Sequence, residues 1–156
     1  SSRLFTEIRE HRGLAYDIHS YTEHFLHSGS FGIYAGVDPK KTETAVAAIL
    51  EELSKIKQGI TTSELTRAKE LSKGRLYLRF EDSQNVALWY GSQEILLPQI
   101  LDVDDVVSIV DAITIDELQE VAKEILTDSA LNLAVTGPIE KHGPVNENSL
   151  RQLLKL

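Results

Sequence analysis

The sequence predicts an α+β domain in which several helices cover one face of a small, mainly antiparallel sheet. Three observations lead there. Two β-rich runs, Leu14–Leu26 and Phe31–Val37, flank a turn of Ser and Gly and read as a hairpin. Two capping boxes, Thr61-x-x-Glu64 and Thr114-x-x-Glu117, each open a helix-period run. A third β-like run, Leu131–Thr136, follows the helices.

Each element has a local reason. Ser1 and Ser2 can cap a short helix over Arg3–His11, with Leu4, Phe5 and Ile8 on its apolar face. Gly13 stands where a helix end favours a left-handed residue. In the second strand Phe31, Ile33, Ala35 and Val37 alternate with small residues. Asp38-Pro39 starts a long helix through Val46, Ile49, Leu50, Leu53 and Ile56, which Gly59 ends. The first capping box carries a helix to about Phe80. Asp82 caps another, with Val86, Trp89, Tyr90 and Gln93 at helical spacing, and Pro98 breaks it. Asp102 begins a helix through Asp111, and the second capping box one that ends near Leu126. Gly137-Pro138 stops the third strand, Gly143–Asn148 is a loop and Leu150–Leu156 a last short helix.

The 156 residues suffice for one domain with a real core, and residues 1–156 read as one, without internal repeat or linker. Three strands with two bare edges make an awkward sheet. We therefore expect one or more further strands, either upstream of Ser1 or from a partner, and self-association of the isolated chain.

Composition narrows the function. A net charge of −8 disfavours nucleic acid, whose phosphates demand a basic surface. The longest apolar run, Ala45–Leu50, is far below the ~18 residues of a membrane span. No signal segment is visible in Ser1–Arg9. The absence of cysteine removes disulfides, thiolate ligands and thiol nucleophiles, and fits a reducing, cytoplasmic compartment. There is no G-x-S-x-G elbow, phosphate-binding loop or dinucleotide fingerprint. Four of the five histidines fall within His11–His27, and His19-Ser-Tyr-Thr-Glu23-His24 mimics a zinc motif. It fails on spacing: the inverted zinc motif H-x-x-E-H sets its histidines four apart on one helical face. Here they are five apart on a predicted strand and point to opposite faces. No metal ligand is assigned. Carboxylate pairs such as Glu51-Glu52 and Asp104-Asp105 read as solvated helix charges.

The densest pattern is Ser1–Tyr16, SSRLFTEIREHRGLAY. It closely resembles the segment S-R-L-F-x-E-[IV]-R-E-x-R-G-L-A-Y of the insulinase/pitrilysin family of zinc metallopeptidases, in the half that does not hold zinc. Gly32–Pro39, Ile60–Lys73, Phe80–Asp82, Ala112–Ala122 and Leu133–Pro138 are similar to later family segments, in the same order. Each is weak alone; their order and spacing are specific over about residues 1–138.

The resemblance implies a sheet flanked by helices whose first strand precedes Ser1. It implies two such halves, fused or separate, closing on peptide substrate, with zinc in the other half and none in this one. It also implies that an Arg and a Tyr seven residues apart reach the substrate; the matching residues are Arg9 and Tyr16. A guanidinium fork and a phenol opposite a metal suit backbone binding and oxyanion stabilisation. Three alternatives remain open. Tyr16 shares strand parity with Leu14 and Ile18, as a half-buried core tyrosine would. Arg9 can pair with Glu10 or Asp17. The same family fold also serves as an inactive scaffold or companion subunit. Arg12 competes with Arg9 but has the wrong spacing to Tyr16; Arg3 and Phe5 read as structural.

Overall fold

A computed structural model describes residues 2–137 and 145–156. The Ser1 cap, the Pro138 stop and the first part of the Gly143–Asn148 loop lie outside the described residues. The fold is α+β, with one antiparallel hairpin and, among the described residues, a π-helix and six α-helices. The chain divides into two compact units, residues 1–59 with 120–156, and residues 60–119.

The first unit starts as expected, then departs from the expectation. Ser2 Oγ accepts a hydrogen bond from Phe5 N–H (3.2 Å). From Phe5 to His11 the helix is π-wound. Arg12 N–H donates to Glu7 O five residues back (3.0 Å), and Leu14 N–H to Ile8 O six back (2.8 Å). Gly13, at φ +56°, makes the left-handed turn that closes this wide coil. Strand β1 (Ala15–His24) then pairs with β2 (Gly29–Val37). Asp38 caps a short 3-10 turn at Pro39–Lys41, which leads into α1 (Thr42–Gln58).

Leu4, Ile8, Leu14, Ala15, Ile18, Ala45 and Ala48 form one buried cluster joining the π-helix, β1 and α1. One face of the hairpin is thus covered by helix. A second cluster links Leu50 and Leu53 of α1 to Ala122 and Leu126, at the end of α5 (Ile115–Ile125). The last helix, α6 (Glu147–Leu153), starts three residues earlier than expected because Asn146 Oδ1 accepts from Asn148 and Ser149 N–H (2.9 and 3.3 Å).

One expected element is corrected. Leu131–Thr136 is not a strand; the described sheet has only β1 and β2. Alternating side chains gave that run strand character, but a strand exists only through ladder hydrogen bonds, and this run makes none with either described strand.

The second unit holds α2 (Thr62–Phe80), α3 (Ser83–Leu96), α4 (Val103–Ala112) and the start of α5. Every capping residue read from the sequence acts here. Thr61 and Glu64, Asp102 and Asp105, and Thr114 and Glu117 bond reciprocally, and Asp82 caps α3. Gln93 is buried because its amide pairs with both backbone groups of Leu101, accepting from N–H (2.9 Å) and donating to O (3.1 Å).

Candidate substrate-contact site

Arg9 and Tyr16 both lie in the first unit, on either side of the Gly13 turn. Arg9 stands on the π-helix, its guanidinium 5.0 Å from the centre of the Phe5 ring. It is exposed, and it makes no ion pair with any described residue. The alternative pairing with Asp17 does not occur; that carboxylate lies 3.5 Å from His19 Nδ1 instead.

Tyr16 sits on an irregularity in the ladder. Ala15 pairs with Val37, yet Asp17 pairs with Gly36, so one extra residue is inserted in β1. Tyr16 is that residue, at a β-bulge, a device that bends a strand and re-aims a side chain. Simple alternation puts Tyr16 on the buried face with Leu14 and Ile18. The bulge turns it out instead, leaving it 74% exposed. The core-tyrosine alternative is thereby removed, and its hydroxyl has no partner among the described residues.

Arg12 differs from Arg9 in one respect. Its Nη2 donates to Glu51 Oε2 on α1 (2.9 Å). Glu51 also accepts from Lys55 (2.8 Å), and Lys55 reaches the buried carboxylate of Glu52 (2.7 Å). Hydrogen bonds from Lys55 and then Arg12 hold Glu51 below the usual carboxylate range. The bond to Glu51 raises the Arg12 guanidinium further. Arg12 is committed to α1, whereas the donors of Arg9 are free to meet a ligand. Arg3 donates to Gly59 O (3.0 Å), in keeping with its structural role.

The remaining outward face of the hairpin is aromatic. His19 stacks on Tyr34 across the strands, with ring centres 5.2 Å apart, and Tyr21 covers Gly32, where a Cβ would collide with its ring.

The described residues do not fit zinc. His11 leans on Glu7 (3.1 Å) and His19 on Asp17, and among the described residues no three His, Asp or Glu groups gather where an ion would sit.

Residues 1–72 match the family described as Peptidase M16 inactive domain. Over 141 residues the chain is 35% identical to a protein named as an uncharacterized zinc protease in Streptomyces coelicolor, covering 90% of this chain and 30% of that one. A Bacillus subtilis protein of the same description is 33% identical, over 82% of this chain and 32% of its own length. The chain belongs to the M16 peptidase family. It spans about a third of the length of these M16 relatives. A chain of complex III2 from Candida albicans, solved with Inz-5 bound, shares the fold, with a TM-score of 0.74. It is 22% identical, covering 82% of this chain and 31% of that one.

Sequence reasoning about this M16 chain missed two features. The bulge at Tyr16 carries no glycine or proline to mark it. Lys41 was not singled out, yet its Nζ donates to Gly13 O (3.1 Å). Its position just after Asp38-Pro39 was the available signal.

Proposed function

We propose that this chain is the substrate-gripping, non-zinc half of a zinc metalloendopeptidase acting on peptides or unfolded segments. Arg9 and Tyr16 contact the substrate; the zinc-bearing half is fused to the chain or a separate subunit. The observation that carries the reading is the bulge that turns Tyr16 into solvent, with an exposed arginine of uncommitted donors on the other side of the Gly13 turn.

The chemistry follows from the donors. The Arg9 guanidinium presents a rigid fork of N–H groups and the Tyr16 phenol one O–H. Both suit a peptide carbonyl, and both gain strength as negative charge develops on its oxygen. A zinc ion held by the other half would supply an activated water for attack on the peptide carbonyl. This chain supplies orientation and charge stabilisation, and by itself it is inactive. The relatives named as zinc proteases support the peptidase context.

A second reading, an inactive scaffold or companion subunit of the same fold, has its support in the structural likeness to a chain of complex III2. It gives no reason for a bulge that exposes a tyrosine across the Gly13 turn from an uncommitted arginine.

The test is hydrolysis of a quenched fluorescent peptide mixture by the chain alone and by the chain with its zinc-bearing half. Activity should require both. Arg9→Ala should lower kcat about 10²- to 10³-fold, as loss of one oxyanion donor does elsewhere, and Tyr16→Phe by a similar factor. Full turnover with either substitution would refute the assignment.

A further inference from the structure

Between Arg9 and Tyr16 the chain makes the Gly13 turn, and that turn is tied to α1 at two places. On one side, Lys41, the residue before α1, donates from Nζ to Gly13 O (3.1 Å). On the other, Arg12, which ends the π-helix, donates to Glu51 (2.9 Å). That tie continues through Lys55 to Glu52, whose carboxylate is 2% exposed and is fixed within the first unit. Lys41 and Tyr16 also line one recess of about 90 Å³, together with Gly13, Leu14, Ala15 and Asp38.

We propose that Lys41 and the Arg12–Glu51 pair are positioning residues for the Arg9–Tyr16 site, clamping the Gly13 turn to α1 and so setting how the two donors meet one substrate group. The proposal rests on the substrate-contact role of Arg9 and Tyr16 and adds the residues that hold them in register.

Energetics separate this role from a merely structural one. Exposed charge pairs contribute little to stability. Arg9 and Tyr16 approach from a π-helix and a bulged strand, two irregular elements whose mutual placement no regular ladder or coil fixes. A displacement of about 1 Å at a reacting centre can cost about 10²-fold in rate. Loss of a tie should therefore move turnover much more than melting.

The experiment measures kcat, KM and thermal melting of the assembled peptidase, with the quenched peptide mixture as probe. Lys41→Ala should lower kcat about tenfold with KM nearly unchanged, the signature of an interaction expressed in the transition state. Melting should stay within a few degrees, and Lys41→Arg, which keeps a cation within reach of the Gly13 carbonyl, should restore most of the rate. Arg12→Ala, Glu51→Gln and the double variant should all lose the same factor, because each breaks the same tie. Arg9→Ala in the same series separates the two levels. If Arg9→Ala is harmful while the Lys41 and Arg12 variants keep full kcat, the positioning role falls and the substrate-contact role stands. If Arg9→Ala is harmless, both fall. Additive losses at Arg12 and Glu51 would also overturn the clamp. If Lys41→Ala lowers melting as steeply as activity, the Arg12–Glu51 cycle decides.

Discussion

The two units of this chain differ in how much they bury. All of the buried apolar residues described, from Leu4 to Leu150, belong to the first unit. Side chains of Ser2, Asp38 and Asn146 cap its helical turns as well, but burial is what sets it apart. The second unit buries no apolar residue among those described; its one buried side chain is Gln93. Yet each of its helices starts at a capping side chain, and Lys73 joins Asp111 (2.8 Å) while Lys69 donates to Asp111 O (2.7 Å). The difference teaches where each kind of information lies. Caps are local and define helices; a site needs contacts between residues distant in sequence, and the candidate site lies in the unit that has the buried packing.

The largest effect that would break this comparison concerns the core. Ile8 is fully buried, at 0% exposure, beneath the π-helix that carries Arg9. Ile8→Ala should cost about 2–5 kcal/mol in denaturant unfolding. Ile95, 82% exposed on α3, should tolerate the same change within about 0.5 kcal/mol. Equal costs at the two positions would mean that the second unit has a core of its own.

A smaller effect sharpens the other side. Thr61→Ala removes the cap of α2 and should cost about 1 kcal/mol, read as lost helicity by circular dichroism. Acid should act in the same direction. Bonds from the Thr114 backbone N–H and hydroxyl hold the Glu117 carboxyl below the usual carboxylate range. A carboxyl depressed in the folded state contributes stability that is present above the unfolded pKa of about 4.3 and is lost as pH falls through the folded value. Glu117→Gln should therefore flatten the loss of α5 helicity in an acid titration below about pH 4.5. An unchanged titration would remove Glu117 from that role.

Legibility in the sequence follows the same division. Asp82, the Thr61 and Thr114 boxes, the hairpin and the start of the long helix after Pro39 were all readable, because each depends on a few neighbouring residues. What was not readable depends on chain distant in sequence. FTEIREH has an ordinary helical pattern and gives no sign of the π-winding, whose Ile8 is buried against residues as distant as Ala45 and Ala48. The bulge at Tyr16 is a property of pairing with β2 rather than of Ala15-Tyr16-Asp17 itself. Leu131–Thr136 shows the converse: alternation invites a strand, but a ladder partner must complete it. For the site, Arg9 and Tyr16 were found by resemblance, and parity alone pointed the tyrosine inward. The metal-like run His19–His24 was set aside on spacing, and the hairpin places His19 beside aromatic rings and a carboxylate.

The most direct measurement of the central claim is a double-mutant cycle on kcat/KM for peptide hydrolysis by the assembled peptidase, using Arg9→Ala, Tyr16→Phe and the pair. If both side chains hold one substrate group, each single loss is large and the double loss is clearly smaller than their product, the behaviour of residues that act as a unit. If all three variants keep the parent kcat/KM, the two side chains do not touch the substrate, and the exposed arginine and bulged tyrosine belong to a scaffold.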